Sequence, residues 1–349
     1  MDLKLLKTGL IYNYLNTILM KEILNYLFSH QTLSREEAKE ILIKIGNGQY
    51  SESEIASFLT VYLMRKITAL ELAGFRDALL ELCIPVSLPD YETIDVCGTG
   101  GDEKNTFNIS TLTAFVLAGA GIKVVKHGNY AVSSASGSSN ILEHYGYKFG
   151  NDSKKLRNEI EKANICYLHA PMFHPAMKSV APVRKSLKVK TFFNILGPMV
   201  NPCRPKNQLV GVFSEEVLNL YNDVYKDTDI NYCIIYCLNG YDEISLTGKF
   251  RAVSNLSDDI FSPEDLNMKI TPHNDLYAGK FVEDAVKIFD DIINGRGTDS
   301  QNSVVIANAA MGLKCINGEK PIEECVKEAQ ESLLEKRALG ALKKLIDLQ

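Results

Sequence analysis

The chain has 349 residues, 46% of them hydrophobic and 23% charged, with a formal net charge of −5. That length and balance suit two globular domains, or one large domain with an accessory lobe. The acidic balance argues against a broad electrostatic grip on nucleic acid, though not against a local cationic pocket, and no apolar run approaches the roughly 20 residues of a membrane span.

Residues 1–19 read as an N-terminal extension. Their apolar run is interrupted by Asn13, Tyr14 and Asn16, and no small-residue cleavage site follows, so a cytoplasmic location is expected. The eight cysteines stand without a C-x-x-C pair, which suggests neither a zinc knuckle nor a disulfide framework. Cys233 and Cys237 lie in an apolar run and read as buried strand packing.

Three capping boxes follow: Ser34 with Glu37, Ser51 with Glu54, and Thr68 with Glu71. In each, a hydroxyl and a carboxylate three residues on satisfy the orphan amides of a helix start. Apolar faces run behind them, for example Ile41, Leu42 and Ile45, then Phe58, Leu59 and Tyr62, before Pro85 and Pro89. The pattern predicts a small all-helical domain over residues 20–90.

From Thr93 the period changes. Short apolar runs at 94–96, 122–125, 165–168, 209–213 and 232–238 alternate with helical stretches. This predicts a larger α/β domain, residues 91–349, with a mostly parallel central sheet. The tail from Phe281 onward reads as helices forming its outer layer.

Three segments at predicted strand ends carry the chemistry. The first is Gly98-Thr99-Gly100-Gly101-Asp102, leading to a helix start at Thr106-Phe107-Asn108-Ile109-Ser110-Thr111. Glycines admit positive φ and close approach, and a helix start adds free amides, so phosphate can be cradled there. A dinucleotide fingerprint fails because Glu103 stands where its last glycine belongs, and no G-K-[ST] occurs for a nucleotide P-loop. A bare glycine turn would not gather four hydrogen-bonding side chains at one helix start. The second segment is Lys126-His127-Gly128-Asn129, followed by Ser133, Ser134, Ser136, Ser138 and Ser139. Lysine offers a point charge for phosphate, serines and amides can wrap oxygens, and His127 reads as structural. The third is Asp242-Glu243. Alone it is a solvated turn; beside two phosphate loops it becomes a hard-oxygen Mg2+ site.

In chain order, C-G-T-G-G-D, T-F-N-I-S-T, K-H-G-N, S-S-x-S-G-S, H-P-A-M-K, P-V-R, T-F-F-N-I-L-G-P and G-Y-D-E-I-S resemble the anthranilate phosphoribosyltransferases, from about residue 20 to the end. The resemblance implies that Gly98, Gly101, Asp102, Thr106, Asn108, Ile109, Ser110 and Thr111 hold 5-phosphoribosyl 1-pyrophosphate. Lys126, His127, Gly128, Asn129, Ser133, Ser134 and Ser138 would close over its phosphates, with Lys126 as the electrostatic stabiliser and no obligatory acid or base. Ser110, Asp242 and Glu243 would serve two Mg2+ ions; Gly98, Asn129 and Arg184 would meet anthranilate, Arg184 facing its carboxylate. It also implies a homodimer built through the helical domain, and a segment at 174–200 packing near that domain.

The chain departs from the family in places. Tyr130 stands where arginine is frequent, Ser139-Asn140 replaces a common Ala-Asp, Lys188 and Lys190 fall where glycine and arginine are usual, and Glu103 takes a position often held by glycine. Two other functions share parts of the pattern. A pyrimidine nucleoside phosphorylase has a similar two-lobed build, but carries a different lysine-serine loop. A non-catalytic nucleic-acid-binding paralogue would show a basic groove, against the acidic balance here.

Overall fold

Hydroxyl–carboxylate pairs three residues apart open the helices of the N-terminal region. The computed structural model describes residues 19–131 and 135–349, so Ser133, Ser134 and all of the predicted extension but its last residue lie outside the described residues. Helix Met20–Phe28 is followed by Arg35–Gly46, Glu52–Met64 and Ala69–Leu82, the last three each opened by its two-way capping box. Glu71 is also an anchor. Fully buried, it accepts from the Leu33 and Thr68 backbone N–H groups and from the Arg65 guanidinium. Burial pushes its carboxyl up, but Arg65 and those amides outweigh that and hold it below the ordinary value.

Packing divides the described residues into two units, the first being residues 19–83 with 174–196. Phe192 stacks on Phe75 at 4.4 Å and meets Phe58 and Tyr62 edge-on, which is why the later segment joins the helices. The boundary expected at residue 90 falls instead after Cys83. The Ile84 and Val86 N–H groups donate to the Phe173 and Pro202 carbonyls, and Val86 and Leu88 are buried with Val125, Leu168 and Phe173. The later segment of this unit ends at Leu196, not at 200, and the Pro198 carbonyl beyond it accepts from Gln208 Nε2.

The second unit holds a seven-stranded sheet of order β3-β2-β1-β4-β5-β6-β7. Strands β1 (Thr93–Gly98), β2 (Lys123–Gly128), β3 (Ile165–His169), β4 (Asn207–Gly211) and β5 (Asn231–Cys237) run parallel. They are the five predicted apolar runs, buried by helices on their faces. Two antiparallel strands, β6 (Phe250–Ser254) and β7 (Asp258–Phe261), extend the edge. They are short, and β7 is largely exposed, so neither carries a long apolar signature.

The predicted outer position of the tail needs correction for one of its helices. Helix Asp299–Ile316 buries an unbroken run from Val304 to Leu313 and packs on β4, β5 and helix Ile109–Gly119. It is an inner layer, because its apolar residues surround the helix instead of forming one stripe. Among the described residues no helix is long and apolar enough to cross a membrane.

Candidate active site

Parallel pairing puts the carboxyl ends of β1, β2, β4 and β5 on one edge, where α/β sheets bind ligands. Gly98 ends β1 beside Gly211, the last residue of β4. The turn after β5 crosses both so closely that a Cβ on Gly98 would lie 2.3 Å from Asp242 Oδ2, and one on Gly211 1.6 Å from the Asp242 carbonyl oxygen. Glycine is needed here for the chain's own approach. Asp242 Oδ2 accepts the Gly100 N–H at 2.5 Å, and Glu243 Oε1 accepts the Ser110 N–H at 2.9 Å. Lys126, 2% exposed, donates to the Val96 carbonyl at 2.7 Å and reaches Ser110 Oγ at 3.4 Å. The glycine loop, the helix start, the lysine and the acidic pair therefore converge. Ser110, Asp242 and Glu243 line one small cavity with Cys97 and Gly211.

Ionising every carboxyl of this cluster would gather more negative charge than the protein neutralises. Burial pushes the Asp242 carboxyl well up, and repulsion from Glu243 and Asp102 adds to it. Glu243 is pushed up to about 7, by burial first and Asp102 second, against the Ser110 N–H and Lys126. Asp102 Oδ2 is buried with no hydrogen-bond partner. Lys126 itself is lowered by burial, and Asp95 opposes that. Hard carboxylate oxygens with surplus charge fit a divalent cation. Among the described residues no group of three or more His, Cys, Asp or Glu is arranged to hold a metal. The Asp242-Glu243 pair by itself suits Mg2+, which takes one or two carboxylates and fills its shell with phosphate and water.

The other predicted residues are placed as follows. Gly101 has φ +85°. Asp102 Oδ1 accepts the Lys104 N–H. Thr106 bridges to Tyr277. Asn108 precedes helix Ile109–Gly119, donates from Nδ2 to the Ser136 carbonyl, and keeps a buried Oδ1 with no partner. Ile109 and Thr111 are buried, and the Ile109 N–H donates to the Phe107 carbonyl. The His127 N–H reaches Asp95 Oδ1. Gly128 lets the chain pass Ser138 and Tyr167, which a Cβ would meet at 2.2 and 2.5 Å. Ser138 Oγ pairs with Tyr167 Oη at 2.8 Å. Asn129 is exposed, and its Oδ1 accepts the Tyr130 N–H.

Two residues escaped sequence reasoning. Asp95, fully buried in β1, accepts from Asn201 Nδ2 and the His127 N–H, and is pushed up to about 6 by burial against the pull of Lys126. Asn308 clamps the residue after Glu243, accepting the Ile244 N–H and donating to its carbonyl. Asn308's one signal was an amide inside an apolar helix.

Arg184 belongs to the first unit. It lies on helix Ala181–Leu187 with its guanidinium 5.3 Å from the Phe193 ring centroid, and burial lowers its pKa. A partly desolvated guanidinium set on an aromatic ring suits a carboxylate ligand.

Residues 90–339 match the glycosyl transferase family α/β domain, and residues 21–83 the helical bundle domain of the same family. Fold and site thus define a glycosyltransferase. The anthranilate phosphoribosyltransferases of Flavobacterium psychrophilum and Flavobacterium johnsoniae are 56% and 54% identical to it, each over 94% of this chain and 99% of their own. Among solved structures, anthranilate phosphoribosyltransferase from Thermus thermophilus superposes with a TM-score of 0.87 at 30% identity, covering 93% of this chain and 98% of its own. The Saccharomyces cerevisiae enzyme in complex with PRPP and Mg gives 0.88 at 26%, covering 94% and 97%. The chain belongs to the anthranilate phosphoribosyltransferase family, whose reaction transfers the phosphoribosyl group of 5-phosphoribosyl 1-pyrophosphate (PRPP) to anthranilate in tryptophan biosynthesis.

Proposed function

We propose that the cluster at the carboxyl edge of the sheet seats PRPP with Mg2+, and that Arg184 receives the carboxylate of anthranilate. The observation that carries this is the junction of Gly100, Ser110, Lys126, Asp242 and Glu243 through direct hydrogen bonds. The reaction is displacement at the anomeric carbon. The anthranilate nitrogen forms the new bond to C1, the C1–O bond breaks, and pyrophosphate leaves with that electron pair. The aromatic amine is unprotonated near neutral pH, and its extra proton is lost after attack, so no side chain need act as base. The leaving-group charge is the harder problem.

Ser110, Asp242 and Glu243 are the residues that would hold the metal, two ions by the family resemblance, and bound Mg2+ supplies positive charge to the departing pyrophosphate. Lys126 and the amides of the glycine loop add fixed positive potential in a buried setting. Orientation of both substrates is worth several kcal/mol, with roughly 7–11 as a general upper range.

The test follows loss of anthranilate fluorescence on mixing with PRPP, with and without Mg2+. Asp242→Asn with Glu243→Gln is expected to lower kcat by about 100-fold or more; a wild-type rate in that variant removes the metal assignment. Free thymine released from thymidine and phosphate would favour the phosphorylase reading instead. The same resemblance implies a homodimer, and Phe28, Leu63, Met64 and Leu70 expose apolar area on the helical unit that a second copy could cover.

A further inference from the structure

We infer that Asn105, which lies outside the phosphate-loop motifs, is a positioning residue that ties the glycine loop to the serine loop so that both address one diphosphate. The inference rests on the assignment of those loops to PRPP.

Asn105 is half-buried and uses both ends of its amide. Oδ1 accepts the Ala135 N–H at 2.8 Å, and Nδ2 donates to the Gly279 carbonyl at 2.9 Å. Its own carbonyl accepts the Ala278 N–H at 2.9 Å. Beyond Asn105 the same strip stays zipped, since Thr106 bridges to Tyr277 and the Phe107 N–H donates to the Leu276 carbonyl. Three residues on, Asn108 Nδ2 holds the Ser136 carbonyl at 3.0 Å. The later end of the serine loop, Ala135-Ser136, therefore hangs from two asparagines of the glycine loop, and Asn105 in turn is pinned to the segment before helix Val282–Ile293.

A simpler account is available. Asn105 has φ +49°, and asparagine tolerates the left-handed region. If backbone conformation were its whole purpose, glycine would serve at least as well. The two accounts thus diverge on one substitution. Asn105→Gly keeps the backbone and removes both side-chain bonds. Without the Ala135 bond only the Asn108 tie still holds this end of the serine loop to the glycine loop, and PRPP must order the two more at its own expense.

The experiment measures steady-state kinetics and melting temperature of Asn105→Gly beside Ser110→Ala, the latter testing the loop assignment itself. The expected result is a PRPP KM raised about tenfold, the scale of one or two lost hydrogen bonds, with kcat within about twofold, anthranilate KM unchanged and the melting temperature retained. A wild-type PRPP KM in Asn105→Gly, with Ser110→Ala impaired, overturns the inference and leaves the loop assignment standing. Wild-type KM in both overturns the loop assignment and the inference with it. Should the glycine variant melt more than about 5 °C early, Asn105→Ser, too short to span either bond, takes its place under the same criteria.

Discussion

Asp95 and Lys126 show how burial makes one charge depend on another. Both are driven toward their neutral forms by desolvation, and each opposes the shift in the other. The Asp95 carboxyl, pushed from the ordinary 3.8 up to about 6, holds its proton in the folded chain over a window where the unfolded chain has released it. Its stabilising contribution is therefore complete below about pH 4 and is lost as pH rises through about 6, a loss of roughly 3 kcal/mol. Asp95→Asn does not titrate. Urea unfolding of both proteins from pH 4 to 7 should show the variant gaining on the wild type by that amount, and a constant difference would refute the shift. Arg184 offers a second test at this scale. Arg184→Ala is expected to raise the anthranilate KM by roughly 10- to 100-fold, as when a charged hydrogen bond to a carboxylate is lost, with little change in PRPP KM. An unchanged anthranilate KM ends its role as the carboxylate's partner.

Several of the departures from the family pattern are explained by local backbone. Glu103 has φ +61° and Lys188, the C-cap of helix Ala181–Leu187, has φ +55°. Both are left-handed positions where glycine is comfortable and a side chain carries strain. Lys188→Gly should raise unfolding free energy by about 0.5–1 kcal/mol, read as a later thermal transition; earlier melting would show that the lysine side chain contributes more than the strain removes. Tyr130 finds its own partners, with its hydroxyl on Glu143 and its ring edge-on to Phe149 and His169. Asn140 accepts from the Gly137 and Ala131 N–H groups, and Ser139 Oγ reaches Tyr167 and His169. Each of these three residues thus has local partners of its own.

For the whole molecule, the expectation is association through the helical unit. Met64 is 83% exposed and Phe28 60%, apolar area that association through this unit would cover. Sedimentation velocity at micromolar concentration should give a dimer for the wild-type chain and a monomer for Phe28→Glu with Met64→Glu. A monomeric wild type would remove the dimer from the proposal.

The five parallel strands and the capped helices could be read from the residues because local physics sets them. Apolar runs of strand length bounded by turns, and hydroxyl–carboxylate pairs three apart, need no distant partner to be recognised. The loops proposed to hold phosphate were visible for the same reason: glycines, serines and a lysine cluster where strands end. What the sequence could not fix depends on residues far apart in the chain. Gly98 and Gly211 are glycine because the turn carrying Asp242 passes over both. Asp95 became a partner of Lys126 only when β1 and β2 were paired, Asn308 a clamp only when its helix moved inside, and Asn105 a tie only when three loops met. Order along the chain names the reactive groups; the tertiary fold decides which are desolvated together, and desolvation sets their charge.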